Sequence, residues 1–294
     1  MKPIRKAVLP VAGMGTRVLP ATKAIPKEML PVFDRPALAH VVAEAREAGI
    51  EHFVFVTGRN KGAIEDYFDH AVELEAALEA KGKDDILAAC LEDVMPAGCM
   101  SFVRQQKPLG LGHAVWAARD IVGDEPFAVL LPDVLVKAAP SCTAQMVEAY
   151  NQVGGNIVAV DEVPMERVSS YGVIAPKEGA STSDPRLIEM SAMVEKPPRE
   201  DAPSNLKITG RYILQPEIFD LLESQDKGAG GEIQLTDSMA TLMQSQSFYA
   251  FKYEGQDYDC GDKVGYLQAA AAYALADAEF GDKSRATLEA LLRA

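Results

Sequence analysis

The sequence predicts an α/β fold, in which helices cover both faces of a mainly parallel sheet. Short apolar runs that lack strict alternation, a pattern typical of strands buried on both faces, recur between helix-like segments in the first half of the chain. The predicted strands are 4–9, 53–57, 100–104, 127–131 and 156–161. The predicted helices are 36–48, 62–81, 113–121 and 141–152. This alternation favours a Rossmann-like layered architecture.

The second half of the chain has a different pattern. Its predicted strands are shorter, are separated by Pro, Ser and Asp, and lie at 171–175, 188–194 and 208–214. We expect them to form a small β subdomain, which would make the sheet mixed. Ala- and Leu-rich segments at 264–278 and 284–292 predict a C-terminal helical tail.

The charge balance bounds the partners of the protein. The 294 residues include 43 acidic and 29 basic side chains, and the net charge is −14. We expect no nucleic-acid partner, because such proteins normally carry a basic stripe. Anionic small substrates are still possible, since exposed charges are screened beyond about 8 Å and a few close cations outweigh them.

The apolar segments and cysteines bound the location. No segment approaches the roughly 18 apolar residues of a membrane span, and the first apolar run is too short for a signal peptide. The four cysteines form no CxxC pair, which argues against a zinc cage or a disulfide framework. We therefore expect a cytoplasmic protein without a membrane partner.

The loop after the first strand is suited to a phosphate chain. Gly13 and Gly15 stand two apart, so backbone N–H groups could approach a phosphate without a side-chain clash. Arg17, Lys23 and Lys27 follow within fourteen residues of Gly13 and supply three cations. A triphosphate is a ligand that this composition would suit, although two such glycines can also form only a tight strand exit.

Two better-known phosphate motifs do not fit this loop. A dinucleotide fingerprint needs a third glycine leading into a helix, but Val18 stands there and Pro20, Pro26 and Pro31 follow. A P-loop is excluded, because the chain has no G-x-x-x-x-G-K-[ST] segment.

Three further positions are chemically suggestive but ambiguous by themselves. Asp133 follows the apolar strand 127–131, where a carboxylate could hold Mg²⁺ or could cap a turn. The adjacent Glu195 and Lys196 could bind a ligand or form a surface ion pair. Gln105 could read a base edge or be an ordinary loop residue.

A resemblance to a known family resolves these alternatives. The segment AGMGTRVLPATKAIPKEMLPVFDRP (12–36) closely resembles the signature of bacterial UTP–glucose-1-phosphate uridylyltransferases. Further matching segments follow in family order: GLGHA (110–114), LPDVL (131–135), YGVI (171–174), VEKP (194–197), GRYIL (210–214), GGEIQLTD (230–237) and DCGDK (259–263). Met14, where the family usually has Leu, is a conservative departure.

The resemblance implies a reaction and a division of the chain. A phosphate oxygen of glucose 1-phosphate would attack the α-phosphorus of UTP, giving UDP-glucose and pyrophosphate with Mg²⁺ as cofactor. The catalytic domain would cover 1–262, with a nucleotide-binding half at about 1–160 and a sugar-phosphate half at about 161–262. The helices at 263–294 would be an oligomer contact, in a homodimer or homotetramer.

The resemblance also implies roles for individual residues. The expected catalytic residues are Arg17, Lys27, Asp133 and Lys196. The expected nucleotide-binding residues are Ala12, Gly13, Gly15, Glu28, Gln105 and Gly110. The sugar phosphate is expected to contact Gly172, Glu195, Lys196 and Gly210. Asp133 would hold the metal, with Asp259 as a weaker second ligand.

Rival functions share parts of this pattern. Relatives that make dTDP-glucose or ADP-glucose usually carry AGG or GGG before GTR, whereas this chain has Ala12-Gly13-Met14. A non-catalytic sugar-nucleotide sensor need not keep Asp133 and the cations. A nicotinamide oxidoreductase is the weakest alternative, because the third glycine of its fingerprint is missing.

Overall fold

A nine-stranded mixed sheet lies at the centre of the fold in the computed structural model, which describes residues 1–180, 182–226, 228 and 231–293. Gly230, the first residue of the GGEIQLTD segment, and Ala294, at the end of the predicted tail, lie outside the described residues. The strands of the described residues are β1 (Lys6–Pro10), β2 (Pro31–Val32), β3 (Arg35–Pro36), β4 (His52–Thr57), β5 (Met100–Arg104), β6 (Phe127–Leu130), β7 (Val134–Lys137), β8 (Asn156–Glu162), β9 (Gly172–Pro176), β10 (Leu187–Glu195), β11 (Leu206–Leu214), β12 (Phe248–Lys252) and β13 (Gln256–Asp259). Four of them lie outside the nine-stranded sheet, since β2 pairs with β3 and β7 pairs with β13.

Helices flank this sheet, and two further helices follow its last strand at the C-terminal end of the chain. They are α1 (Ala37–Glu47), α2 (Gly62–Tyr67), α3 (Val72–Ala80), α4 (Asp84–Leu91), α5 (Leu111–Trp116), α6 (Arg119–Val122), α7 (Cys142–Val153), α8 (Ile218–Ser224), α9 (Leu235–Leu242), α10 (Lys263–Ala276) and α11 (Gly281–Arg293). Within the described part of the chain, none of them is both long and apolar enough to cross a bilayer.

The sheet has the order β5-β4-β1-β6-β11-β8-β12-β10-β9. Strands β5, β4, β1 and β6 are parallel, whereas β11 is antiparallel to both of its neighbours, β6 and β8. Successive residues of a strand point to opposite faces, so Ala7 and Leu9 of β1 enter one core cluster and Val8 enters the other. Both faces of the sheet are therefore buried, and the predicted mixed, mainly parallel α/β fold is confirmed.

The strands predicted for the β subdomain continue this same sheet. All nine residues of β11 are buried because the strand lies in the middle of the sheet, between β6 and β8. Strands β9 and β10 form its far edge, where a small cluster of Val163, Val168 and Val173 lies apart from the two main cores. The subdomain is thus an extension of the central sheet, and its boundary at about residue 161 stays a prediction.

Two predicted helices are each divided in the structure. The predicted helix 62–81 becomes α2 and α3, because the chain turns after α2 to bury Phe68 against Phe55, with ring centroids 5.6 Å apart. The predicted helix 113–121 becomes α5 and α6. Helices α4, α8 and α9 and strands β2, β3, β7, β12 and β13 were not predicted individually from the sequence.

A buried arginine connects the sheet to the loop that follows β6. Arg211 of β11 is 1% exposed and forms a two-pronged pair with Glu44 of α1, at 3.0 Å from Nε and 2.8 Å from Nη2. Its guanidinium also donates to the carbonyls of Leu131 (3.0 Å) and Val134 (2.8 Å). These two carbonyls lie on either side of Asp133, so one side chain holds both ends of its loop.

The side chain of Asp262 caps the N-terminus of helix α10. Asp262 Oδ1 accepts hydrogen bonds from the backbone N–H groups of Val264 (2.8 Å) and Gly265 (2.9 Å). We expect Asp262→Ala to lower the free energy of unfolding by about 1 kcal/mol, measured by urea denaturation, because these donors lose their partner. Asp262→Asn is the matched control and should keep most of the stability, since Asn caps as well as Asp. Equal losses in the two variants would contradict the capping role.

Candidate active site

Two adjoining cavities lie at the carboxyl ends of β1 and β6. One has a volume of about 460 Å³ and the other of about 500 Å³. Both are lined by Arg17, Leu111, Leu131 and Asp133, so these residues form the boundary between them. Ligands of open α/β sheets bind at this end of the strands, which makes the pair of cavities the candidate site.

The smaller cavity gathers most of the residues predicted to bind the nucleotide. Its lining includes Ala12, Gly13, Arg17, Lys27, Gln105, Gly110 and Asp133. We call it the nucleotide cavity. Two of the predicted residues, Gly15 and Glu28, do not line it.

Gly15 shapes the loop behind the nucleotide cavity. Its φ of 66° is in the left-handed region that favours glycine, and a Cβ there would lie 3.1 Å from Cβ of Lys27. The hydroxyl of Thr22 donates to the Gly15 carbonyl at 2.7 Å, which holds the turn. Gly15 therefore allows Lys27 to reach the cavity, while its own contact with a nucleotide stays a prediction.

Glu28 is buried and paired away from the cavity. It is 1% exposed, and its Oε2 accepts a hydrogen bond from Lys61 Nζ at 2.7 Å. Its Oε1 has no partner among the described residues. Burial raises the pKa of Glu28 despite the nearby lysine charges. Direct contact between Glu28 and a base is therefore still a prediction, and the geometry favours a structural role in holding Lys61.

The boundary between the cavities carries a tight ion pair. Lys27 Nζ lies 2.5 Å from Asp133 Oδ2, and Arg17 Nη2 lies 3.6 Å from the same oxygen. Burial alone would raise the pKa of Asp133, but the charge and hydrogen bond of Lys27 and the charge of Arg17 lower it overall. Burial alone would likewise lower the pKa of Lys27, yet Asp133 raises it. The carboxylate and the ammonium are therefore both charged at neutral pH.

A second carboxylate lies beside Asp133. Strand β13 pairs antiparallel with β7 and places Asp259 opposite Val134, and the backbone N–H of Cys260 donates to the Asp133 carbonyl at 2.7 Å. Arg17 Nη1 lies 4.0 Å from Asp259 Oδ2. Burial raises the pKa of Asp259, and the Asp133 charge adds to this effect.

These two carboxylates are a suitable donor set for a divalent cation. Hard carboxylate oxygens suit Mg²⁺, which commonly takes one or two of them together with phosphate oxygens and water. Among the described residues, no group of three or more His, Cys, Asp or Glu side chains is arranged to hold a metal. Asp133 and Asp259 therefore fit a metal whose remaining ligands come from a substrate.

The larger cavity contains the residues predicted to bind the sugar phosphate. Gly172, Glu195, Lys196 and Gly210 all line it, together with Asp259. We call it the sugar cavity. Glu195 Oε2 accepts a hydrogen bond from the Thr236 hydroxyl at 2.7 Å, and Glu195 Oε1 lies 3.5 Å from Lys196 Nζ. This arrangement leaves a hydrogen-bonded carboxylate beside a largely exposed cation.

The two glycines of the sugar cavity make room for neighbouring side chains. A Cβ at Gly172 would lie 3.1 Å from Glu195 Oε2. Gly210 has a φ of 79°, and a Cβ there would lie 2.9 Å from the Leu131 side chain. The packing of Glu195 and Leu131 thus explains both glycines, and their direct contact with a sugar phosphate stays a prediction.

Several residues of the site were missed by the sequence reasoning. Lys207 and Asp257 line the sugar cavity and form an ion pair with Nζ and Oδ2 2.5 Å apart. They are fifty residues apart in the chain, so no local pattern connects them. Thr236 and Arg211 do lie inside segments that resemble the family, GGEIQLTD and GRYIL, and those segments were the available signal.

Known proteins resemble this chain over nearly its whole length. The family described as "Nucleotidyl transferase" matches residues 6–275. A UTP–glucose-1-phosphate uridylyltransferase of Bacillus subtilis (strain 168) is 48% identical, covering 99% of this chain and 98% of that protein. The UTP-bound UGPase from Acinetobacter baumannii is 45% identical with a TM-score of 0.89, covering 97% of this chain and 98% of that one. A UDP-glucose pyrophosphorylase complexed with UDP-glucose is 44% identical with a TM-score of 0.81, covering 92% of this chain and 98% of that one.

These matches extend over nearly the whole chain and over the elements that carry both cavities. The resemblance to bacterial UTP–glucose-1-phosphate uridylyltransferases, inferred from the sequence segments, is thereby confirmed. The chain belongs to the nucleotidyl transferase family.

Proposed function

We propose that this protein is an enzyme that transfers the uridylyl group of UTP to glucose 1-phosphate, giving UDP-glucose and pyrophosphate. The observation that carries the proposal is the pair of adjoining cavities with Asp133 and Arg17 at their boundary. Two ligands placed in these cavities would meet at a point where charge is concentrated. Relatives with 44–45% identity, one bound to UTP and one complexed with UDP-glucose, support the same assignment.

The nucleotide would occupy the smaller cavity. Gln105 and the backbone of Ala12, Gly13 and Gly110 would contact the base, since amide groups offer both donors and acceptors. The backbone of the loop after β1 would approach the phosphate chain. Arg17 and Lys27 would then neutralise the charge that develops on the departing pyrophosphate.

Glucose 1-phosphate would occupy the larger cavity. Glu195, oriented by Thr236, would accept hydrogen bonds from sugar hydroxyls, and Lys196 would hold the phosphate. One phosphate oxygen would then face the α-phosphorus of UTP in line with the leaving pyrophosphate. Because the nucleophile belongs to the substrate, the protein contributes mainly alignment and charge neutralisation.

We propose that Mg²⁺ is held by Asp133, with Asp259 as a second and weaker ligand. When bound, the cation would supply charge neutralisation between the two reacting phosphates. Lys27, which lies 2.5 Å from Asp133 Oδ2, would then be free to turn toward the pyrophosphate. We also propose that the reaction takes place in the cytoplasm, since all four cysteines are free thiols.

The C-terminal helices offer a surface for self-association. Leu267 of α10 is 66% exposed, and Phe280 lies beside it in a shallow apolar depression that Phe33 also lines. We propose a homodimer or homotetramer that covers this face, because exposed apolar patches commonly mark protein contacts.

Release of pyrophosphate tests the proposed reaction. The assay combines the protein with Mg²⁺, glucose 1-phosphate and one of UTP, dTTP, ATP or GTP. We expect fast release with UTP that a chelator abolishes. Preference for dTTP or ATP would instead indicate the related transferases that make dTDP-glucose or ADP-glucose. A folded protein that is silent with all four nucleotides would contradict the enzymatic proposal and leave a non-catalytic sensor.

A further inference from the structure

The side-chain amide of Gln105 is held by two contacts that use the same atom. Gln105 Nε2 lies 3.1 Å from the carbonyl oxygen of Gly110 and 3.0 Å from Nδ1 of His113. The backbone N–H of Gln105 donates to the carbonyl of Thr57 at 2.8 Å, which holds the backbone of this residue in place. No described residue forms a hydrogen bond with Oε1 of this amide, although Gln105 lines the nucleotide cavity.

These contacts determine which end of the amide faces which neighbour. A carbonyl oxygen only accepts, so the amide atom beside Gly110 must be the donor nitrogen. The same nitrogen has a second N–H, and His113 Nδ1 can accept it only in the neutral ring that carries its proton on Nε2. Burial lowers the pKa of His113, which is consistent with a neutral ring. Both hydrogens of the Gln105 amide nitrogen are then used.

His113 is well placed to hold this orientation although it does not line the nucleotide cavity. It belongs to α5, whose Gly112 N–H donates to the Ile233 carbonyl at 2.8 Å. The His113 ring packs on Trp116 with centroids 5.5 Å apart, and the Arg119 guanidinium covers the same indole at 3.7 Å. These contacts hold the imidazole in place, so its Nδ1 can accept the hydrogen bond from Gln105.

We propose that His113 is a positioning residue that keeps the Gln105 oxygen, and not its nitrogen, available to the base. This inference rests on the proposed function, because it assumes that Gln105 contacts the base of the nucleotide. An acceptor at that point favours a base whose ring nitrogen N3 carries a proton, as in uracil and thymine. Cytosine presents a bare, accepting N3 there, so two acceptors would face each other. His113, together with the Gly110 carbonyl, therefore sets the preference for UTP over CTP.

Two substitutions of nearly equal shape separate this role from simple packing. His113→Asn keeps an acceptor close to the position of Nδ1, whereas His113→Leu has the same branched shape without an acceptor. The measurement is kcat/KM for UTP and for CTP in pyrophosphate release, with glucose 1-phosphate saturating. We expect His113→Leu to lower the UTP-to-CTP ratio by about tenfold, mainly through KM for UTP, which is the scale of one hydrogen bond. His113→Asn should stay within about threefold of the parent ratio.

The outcomes distinguish failure of the inference from failure of the proposed function. A parent protein that releases no pyrophosphate from UTP contradicts the proposed function itself. A parent that is active with UTP, together with a His113→Leu variant that has an unchanged UTP-to-CTP ratio, overturns the inference. Equal losses of the ratio in the Leu and Asn variants overturn it too, because they would show that the imidazole acts by packing. The KM for glucose 1-phosphate serves as the internal control and should not change.

Discussion

Asp133→Asn is expected to lower turnover by about 10²–10³, because one preorganised electrostatic stabiliser of this kind has that effect. The substitution keeps the shape of the side chain but removes the charge that lies between the two cavities. It thereby weakens the proposed metal ligand and leaves Lys27 without its partner. The measurement is the rate of pyrophosphate release with saturating UTP and glucose 1-phosphate over a titration of Mg²⁺.

Two controls make the Asp133 result interpretable. Asp259→Asn is the matched variant, since Asp259 lies on the adjacent strand and is the weaker ligand in the proposal; its loss should be smaller. The thermal unfolding midpoint should also be recorded, because burial without the Asp133 charge would lower the pKa of Lys27 and cost stability. A folded Asp133→Asn protein with turnover within a few-fold of the parent would remove Asp133 from the mechanism. A larger loss from Asp259→Asn would exchange the two roles.

The sequence pattern could predict the first half of the sheet better than the second. Strand β1 is apolar and short, and the glycine loop follows it, so its position and direction were predictable. The residues of β11 also have the pattern of a strand, but no local sequence pattern indicates that this strand inserts antiparallel between β6 and β8. Such an insertion depends on pairing between distant segments, and the sequence pattern alone does not specify its partners. The sequence therefore predicts a β subdomain but not which strands of the central sheet it extends.

The residues of the candidate site could likewise be predicted only in part from the sequence. Asp133 could be singled out because it is the first charged residue after a buried strand, with only Leu131 and Pro132 between, and the cations of the first loop are close in sequence. Glu28 shows where that reasoning stops, since its neighbour Lys27 points into the cavity while Glu28 itself is buried against Lys61. Adjacent residues of a short 3₁₀ turn face different directions, and periodicity cannot resolve which one reaches the ligand.

One segment that resembles the family contacts residues of both cavities. The Ile233 N–H donates to the Leu109 carbonyl at 2.7 Å, and the Ile233 carbonyl accepts from the Gly112 N–H at 2.8 Å, on either side of Gly110 in the lining of the nucleotide cavity. Three residues later, Thr236 orients Glu195 in the sugar cavity. Ile233 and Thr236 of the GGEIQLTD segment thus support both cavities at once, a role that the composition of the segment would not reveal.

Arg211→Met is expected to lower the free energy of unfolding by about 3–5 kcal/mol, because it strands the buried carboxylate of Glu44. Glu44 is 7% exposed, and the other hydrogen-bond partners of its carboxylate among the described residues are the hydroxyl and N–H of Thr143, at 2.6 and 3.2 Å. These two neutral donors cannot replace the two charge-assisted bonds of the guanidinium. The measurement is urea denaturation followed by circular dichroism, with the parent and variant compared at equal protein concentration.

The second variant needed is the double substitution Arg211→Met with Glu44→Gln. It removes the stranded charge, so it should recover part of the lost stability, since buried ion pairs replaced as a unit are often close to neutral. The turnover of the double variant should stay below that of the parent, because Arg211 also donates to the carbonyls of Leu131 and Val134 on either side of Asp133. A double variant with full stability and parent turnover would show that the loop holds Asp133 in place without the arginine. A single variant that loses less than about 1 kcal/mol would contradict the account of the buried pair itself.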